Sequence, residues 1–165
     1  MAENSEPVFQ VNTYTEPVVI RISGRVSYLN ALPVSKFFCR MEELDKRNFI
    51  IDFAKCTSID STFLGIIVGA ALKVRKKDPP GNFILCRLRK RNLESVRNLG
   101  LDRIASVDTG DFPAEYESPG QCLEANKKGE TENTKLVLQA HENLIEIDKK
   151  NKSRFQDVVS YLKNQ

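Results

Sequence analysis

A carboxyl group and a hydroxyl group adjoin each other where a strand pattern ends and a helix pattern begins. They belong to Asp60 and Ser61, within the stretch Ile-Asp-Ser-Thr-Phe-Leu-Gly at residues 59–65. Both residues are candidates for the helix N-cap, because their oxygens can accept the free backbone N–H groups of the first turn. The same position favours a phosphate, since the helix dipole and the unpaired amides attract negative charge. The residue types therefore predict either a simple cap or a hydroxyl that can carry a phosphate.

Two apolar runs must position this stretch. Residues 49–53 are apolar except for one aspartate, which predicts a strand covered on both faces. Residues 63–74 are apolar at nearly every position, which predicts a buried helix. Gly65 and Gly69 share one face of that helix, and each costs about 1 kcal/mol relative to Ala. Because this cost needs a packing reason, we expect that face to lie close against a sheet.

Strand patterns alternate with helix patterns in the first hundred or so residues. The first two strands are predicted to form a hairpin with its turn at residues 14–16. The predicted strands are 8–11, 17–26, 49–53, 82–86 and 104–107, the other helices are 31–45 and 92–99, and the loops are 27–33, 54–59 and 87–91. Alternating strands and helices favour a parallel sheet, which the hairpin makes mixed. We therefore predict an α/β fold with a mixed sheet of four to five strands flanked by helices.

The composition divides the chain into four segments. Residues 1–7 are predicted to be a disordered leader, 8–107 a domain, 108–130 an acidic linker and 131–165 a helical C-terminal extension. Apolar residues recur at helical spacing in the extension, which predicts one long helix or two shorter ones. Their apolar stripe can be buried on the chain's own domain, on a second copy or on a partner. His141 lies in this extension and is predicted to be a surface or packing residue, since no metal-binding motif accompanies it.

Charge and apolar runs limit the class of partner. Residues 73–103 carry ten basic and three acidic side chains, whereas residues 108–130 carry two basic and six acidic ones. The first region predicts a solvated basic face or an electrostatic contact surface, and its lack of interleaved aromatics argues against single-stranded nucleic acid. No apolar run reaches the roughly 20 residues that span a bilayer, and the N-terminus lacks signal-peptide features. We therefore predict a cytoplasmic protein that contacts neither membrane nor nucleic acid.

Metal and cofactor chemistry is not predicted. The four cysteines lack a Cys-x-x-Cys pair and share the chain with a single histidine, so we expect reduced thiols and no zinc. The sequence also contains no glycine-rich phosphate loop, Gly-x-Ser-x-Gly elbow or paired catalytic acids. These patterns predict a binding module that is not an enzyme and needs no cofactor.

The order of elements and one motif together resemble the STAS domain, in particular the stand-alone bacterial anti-sigma factor antagonists. The resemblance covers about residues 8–107. Its most specific part is Ile51-Asp52-Phe53 followed by residues 59–65, which is similar to the family's strand and Asp-Ser-Ser-Gly-Leu-Gly motif. The spacing to residues 82–85 and 96–101 agrees as well. The resemblance implies a STAS-like fold.

The resemblance also implies a phosphorylation switch. Ser61 is the implied phosphoacceptor, with Thr62 and Ser58 as second choices. The implied kinase is the partner itself, an anti-sigma factor with serine protein kinase activity, and a PP2C-type phosphatase removes the phosphate. The implied partner-binding residues are Asp60, Ser61, Thr62, Phe63, Ser27 and Tyr28. Phe63 stands where the family has a small glycine, so its ring could pack inward or contact the partner.

The predicted function is therefore a binding module that sequesters an anti-sigma factor when unphosphorylated and so regulates transcription by partner switching. One alternative is a STAS-type regulator or scaffold of another signalling complex, in which the tail helix mediates assembly or homodimerisation. A second alternative is an enzyme whose activity depends on Ser61.

Overall fold

A six-stranded mixed sheet organises the chain in a computed structural model, which describes residues 8–108, 120–123 and 130–164. The elements in chain order are β1 (Val8–Asn12), β2 (Val18–Val26), α1 (Leu32–Glu43), β3 (Asn48–Ile59), α2 (Ser61–Arg75), β4 (Asn82–Cys86), α3 (Lys90–Asn98), a 3-10 turn (Leu101–Arg103), β5 (Ser106–Asp108), β6 (Gln121–Cys122), α4 (Glu130–Ile147) and α5 (Lys150–Lys163). The predicted α/β fold with a C-terminal helical extension is confirmed. The predicted leader at residues 1–7 lies outside the described residues.

The sheet has the order β5-β4-β3-β2-β1-β6. Strands β2 to β5 pair in parallel, whereas β1 is antiparallel to β2, as expected for the predicted hairpin. Both edge strands of the sheet differ from the prediction. The last parallel strand begins later than expected because a 3-10 turn precedes it, and β6 adds a short antiparallel pairing with β1 inside the segment predicted as a linker.

Strand β3 is longer than its apolar run indicates. The predicted loop at residues 54–59 is wrong, because residues 55–59 continue the parallel pairing with the end of β2. Strand β4 has already ended there, and side chains take over its hydrogen bonds: Asn92 Nδ2 donates to the Cys56 carbonyl at 3.2 Å, and Arg89 donates to the Ala54 carbonyl at 3.3 Å. Tertiary pairing thus extends a strand through polar residues that local patterning indicates as a loop.

The main core lies between one face of the sheet and the helices. Alternate residues of the strands, such as Ile20, Ile51 and Leu85, are fully buried there beside α1 and α2. The other face carries a small buried cluster of Val19, Ile50 and Cys86. These two sets follow the two-residue side-chain period of a strand.

The extension forms two helices that pack on the domain itself. They are separated at Asp148, whose Oδ1 accepts the Lys150 N–H at 3.0 Å. Asn151 is fully buried and donates to the Leu99 carbonyl at 2.9 Å and to the Leu144 carbonyl at 2.7 Å. The sequence left three surfaces on which the apolar stripe of the extension could be buried. In the structure the stripe is buried on the chain's own domain. No helix within the described residues is both long enough and apolar enough to cross a membrane.

Candidate functional site

Asp60 joins two segments at the carboxyl ends of β2 and β3. Its Oδ1 accepts the Phe63 N–H at 2.9 Å, which makes it the N-cap of α2. Its Oδ2 accepts the Tyr28 N–H at 2.8 Å, so the same carboxylate holds the loop that follows β2. Parallel strands end at one edge of a sheet, which is why residues 32 positions apart meet here. The capping expectation is confirmed for Asp60, and Ser61 is the first residue of the helix.

Ser61 is hydrogen-bonded to a histidine of the C-terminal extension. Its Oγ lies 2.8 Å from His141 Nε2, and His141 Nδ1 lies 2.7 Å from the Val137 carbonyl oxygen. A carbonyl can only accept, so His141 Nδ1 carries a proton; in the neutral tautomer with this proton, Nε2 accepts from Ser61 Oγ. His141 is 4% exposed and its ring packs edge-on against Phe155.

The sequence left a surface or a packing role open for His141, and it gave no sign of the bond to Ser61. These two residues lie 80 positions apart, on α4 and α2, and no short-range pattern links them. The only local signal was that the single histidine of the chain lies within an amphipathic stretch. Docking of α4 onto α2 is what brings the two side chains together.

The glycine face of α2 contacts α4, and the expectation that it lies against the sheet is wrong. A Cβ atom at Gly65 would lie 2.2 Å from the Ala140 carbonyl oxygen, and one at Gly69 would lie 2.6 Å from Asn143 Nδ2. Asn143 Nδ2 also donates to the Gly65 carbonyl at 3.1 Å. The absence of side chains at these two positions therefore allows close approach of a helix.

Two of the predicted partner contacts require correction. Thr62 and Phe63 are 3% and 0% exposed, so neither side chain is available at the surface of the folded domain. The Phe63 ring points into the core, with its centroid 6.3 Å from that of Phe9 and 6.5 Å from that of Phe53. Of the two roles left open for Phe63, the structure shows inward packing. The burial of Thr62 also removes its hydroxyl from the accessible phosphoacceptor candidates.

The loop after β2 supplies an exposed apolar patch beside Ser61. Tyr28 and Leu29 are 47% and 66% exposed, and Leu29 was not among the predicted contacts. Ser27 and Asn30 hold the loop, since Asn30 Oδ1 accepts the Ser27 N–H at 2.9 Å and the Ser27 carbonyl accepts the Asn30 N–H at 3.1 Å. Ser58, the other second choice for modification, is half-buried on β3. The predicted contacts Ser27, Tyr28, Asp60 and Ser61 thus lie together at one edge.

The titratable groups near the sheet include two buried thiols and a buried ion pair. Among the described residues, no cluster of three or more histidine, cysteine or acidic side chains could hold a metal ion. The thiols of Cys56 and Cys86 are buried, and burial raises the pKa of each to about 11. Buried Asp52 forms an ion pair with Arg87. A cavity of about 460 Å³ lies between α1, α2 and α4 and is not lined by Ser61.

Comparison with known families identifies the domain. A family model of the STAS domain matches residues 8–110. The chain belongs to the STAS domain family. The match ends before α4, so the Ser61–His141 bond joins the STAS domain to a helix outside it. No curated protein sequence matches the chain.

Solved structures with a similar fold include anti-sigma factor antagonists. The one from Mycobacterium paratuberculosis is 15% identical with a TM-score of 0.56, covering 64% of this chain and 87% of its own. The antagonist SpoIIAA in its unphosphorylated form is 18% identical with a TM-score of 0.52, covering 62% and 89%. The Bacillus cell fate determinant SpoIIAA in the phosphorylated form is 19% identical with a TM-score of 0.51, covering 61% and 91%. At these identities the likeness is one of fold.

Proposed function

We propose that this STAS protein is an anti-sigma factor antagonist switched by phosphorylation of Ser61. Unmodified, it binds an anti-sigma factor of the serine-kinase type and frees a sigma factor; phosphorylated, it releases that partner until a PP2C-type phosphatase restores the serine. The observation that carries the proposal is the place of the Ser61 hydroxyl, at the N-terminus of α2 beside the exposed Tyr28 and Leu29. SpoIIAA has a similar fold, and its structure is known in an unphosphorylated and a phosphorylated form, which supports the proposal.

The helix geometry explains how the fold would survive the modification. A phosphate adds about −1.5 to −2 charges, and the N-terminal end of a helix attracts negative charge. The phosphate would therefore act mainly on the contact with the partner, through repulsion and the cost of desolvating it. The proposed contact surface consists of Ser27, Tyr28, Leu29, Asp60 and Ser61. Thr62 and Phe63 are left out because they are buried.

Assembly through the tail receives less support than partner switching. Leu136, Ala140 and Leu144 of α4 are buried on the chain's own domain. A homodimer formed through this stripe would require α4 to leave α2, and its apolar residues would lose their present partners. We therefore assign the proposed contact with other proteins to the edge that carries Ser61 and not to the α4 stripe.

The proposal is tested by incubating the full chain with ATP and each purified serine-kinase anti-sigma factor of the source genome. Mass spectrometry with fragmentation should show one added phosphate on Ser61, which the Ser61→Ala variant should lack. Calorimetric titration should show binding by the parent and Ser61→Ala proteins. Ser61→Asp should bind at least about tenfold more weakly. A loss of about 1.4 kcal/mol in binding free energy, caused by the added charge, already produces that factor.

Circular dichroism of Ser61→Asp serves as the control for folding and should match the parent. Tight binding by this variant would contradict the switch, and a phosphate mapped to Ser58 would move the switch to another residue of the same edge. Ester or nucleotide hydrolysis that disappears in Ser61→Ala would favour the enzyme alternative.

A further inference from the structure

One face of α2 carries both the proposed phosphoacceptor and the contact with α4. Ser61, Gly65 and Gly69 recur every four residues and so share this face. Ser61 Oγ is hydrogen-bonded to His141 Nε2 at 2.8 Å, and Asn143 Nδ2 donates to the Gly65 carbonyl at 3.1 Å. The extension therefore contacts the proposed phosphoacceptor hydroxyl itself, together with the backbone one turn further along the helix.

The fit between the two helices is close enough to be specific. At Gly65 even a methyl group would meet the backbone of Ala140, with its carbonyl carbon at 2.5 Å and its oxygen at 2.2 Å. Ala140 and His141 are 1% and 4% exposed, so the seam is closed to solvent at these two residues, whereas a cavity opens beside Gly69 and Asn143. The face of α2 is thus shaped to receive a helix, and α4 occupies it.

Phosphoryl transfer to Ser61 competes with this docked arrangement. In the transfer a bond forms between Ser61 Oγ and the γ-phosphorus of ATP, the bond to the departing ADP breaks, and the hydroxyl proton passes to a base of the kinase. Ser61 Oγ is already hydrogen-bonded to His141, whose buried ring lies directly beside the oxygen. Ser61 is half-buried, and the docked α4 occupies one side of its hydroxyl, so undocking of α4 would widen the approach of a kinase.

We infer that α4 and α5 form an intramolecular cover that competes with the partner for the Ser61 face of α2. This inference rests on the proposed function. Because the cover belongs to the same chain, it is not lost by dilution, and a partner must displace it to bind. Apparent affinity and phosphorylation rate then fall in proportion to the fraction of molecules in which α4 is undocked.

A disulfide between α2 and α4 would hold the cover closed in a controlled way. A Cβ atom at Gly69 would lie 3.5 Å from Asn143 Cγ, so the two positions are close neighbours and suit a designed disulfide. The variant combines Gly69→Cys and Asn143→Cys with Cys39→Ser and Cys122→Ser, which remove the exposed thiols. Its oxidised and reduced forms are the same polypeptide, so each is the control for the other.

The oxidised form should be phosphorylated on Ser61 at least about tenfold more slowly than the reduced form, since the locked fraction cannot open. Purified serine-kinase anti-sigma factors and ATP provide the assay, with intact mass as the readout. Equal rates in the two forms would overturn the competition.

Substitutions at His141 open the cover without changing the STAS domain. His141→Ala should be phosphorylated about two- to tenfold faster than the parent, the range expected for loss of one hydrogen bond. His141→Gln keeps an acceptor near the position of Nε2 and should stay close to the parent rate. Lys135→Ala, on the exposed side of α4, is the matched control. A rate for His141→Ala no higher than that for Lys135→Ala would contradict the inference.

Hydrogen exchange at the first-turn amides of α2, measured without any partner, separates the two proposals. Exchange should be faster in His141→Ala and slower in the oxidised disulfide variant. If these amides exchange alike in every form, the cover is wrong. If the exchange rates differ between the forms as expected but no form acquires phosphate on Ser61, the proposed function is wrong. The inferred competition with a partner is then wrong as well, and only the docking of α4 over this face of α2 is supported.

Discussion

At the residue scale, Asp60 contributes more than a helix cap. Its two oxygens accept N–H groups from two segments, Phe63 in α2 and Tyr28 in the loop after β2. An N-cap of this type stabilises by about 1 kcal/mol, and hydrogen bonds to a charged acceptor are among the stronger ones. The carboxylate therefore sets the position of the exposed Tyr28 and Leu29 relative to Ser61.

Phe63 is a residue whose role depends on its surroundings and not on its position in a motif. It follows Ser61 by two residues, yet its side chain is fully buried between the rings of Phe9 and Phe53. The first turn of α2 thus presents one hydroxyl toward α4 and one aromatic ring toward the core. The ring contributes to the stability of the domain and is not a surface contact.

We expect Phe63→Ala to lower the free energy of unfolding by about 3–5 kcal/mol, because it leaves a cavity in a buried aromatic cluster. Urea unfolding followed by circular dichroism measures this change. Phe63→Leu, which keeps most of the volume, should cost clearly less and is the matched control. A Phe63→Ala protein with parental stability but without affinity for its partner would instead show that the ring is a contact residue.

At the element scale, α2 connects the sheet to the extension. One side of the helix packs into the main core through residues such as Phe63 and Ile67, and another receives α4 along Ser61, Gly65 and Gly69. This double burial explains why the helix is apolar at nearly every position and why it tolerates two glycines.

The two glycines should respond differently to alanine. At Gly65 the new methyl group meets the Ala140 backbone, which cannot turn away, so α4 must shift; overpacking of this kind costs about 1–3 kcal/mol. At Gly69 the nearest atoms belong to the Asn143 side chain, which can rotate, and alanine gains about 1 kcal/mol in helix propensity. We expect Gly65→Ala to weaken α4 docking and Gly69→Ala to have little net effect.

Limited proteolysis of the extension checks this prediction, with cleavage sites mapped by mass spectrometry. Gly65→Ala should be cut faster within α4 than the parent, and Gly69→Ala should match the parent. Equal protection of α4 in both variants would show that the seam can adapt to a methyl group at either position.

At the scale of the whole molecule, polar contacts hold the extension against the domain at both ends. Near the start of α2, Ser61 contacts His141. Beyond α3, Asn151 donates to the Leu99 carbonyl and Arg154 donates to the Asn98 carbonyl, each at 2.9 Å.

Some of the basic side chains at residues 73–103 form ion pairs on the surface of the fold. Examples are Lys73, paired with Glu42 at 3.3 Å, and Lys77, paired with Asp45 at 3.5 Å. Part of the predicted basic surface is therefore already neutralised within the chain.

The thiols report on the integrity of the whole fold. Cys39 and Cys122 are exposed, whereas Cys56 and Cys86 are buried and burial raises the pKa of each from 9.0 to about 11. At pH 8, iodoacetamide should therefore alkylate the first two in the native protein and all four in urea. Intact mass and peptide mapping give the count. Rapid labelling of Cys56 or Cys86 without denaturant would contradict the assigned burial.

The same shifts predict a dependence of stability on pH. Between pH 9 and about 11 the folded protein keeps thiol protons that the unfolded chain has lost. The stability contributed by these thiols is complete below pH 9 and is lost as pH rises toward 11. The urea midpoint should therefore fall over this interval.

The sequence by itself determined the order of the first five strands and the three helices among them, the hairpin and the strand-to-helix junction at Asp60 and Ser61. These features depend on hydrophobic period, turn residues and capping chemistry, which are encoded within a few neighbouring residues. The STAS resemblance follows from the same local patterns, and the family match over residues 8–110 confirms it.

The tertiary structure alone decided what each of these features contacts. Strand β3 continues to Ile59 because β2 and the side chains of Asn92 and Arg89 pair with it. Phe63 points inward and Gly65 faces α4 because of packing between elements distant in the chain. The Ser61–His141 bond joins residues 80 positions apart, and its existence depends on a helix docking that no local periodicity specifies.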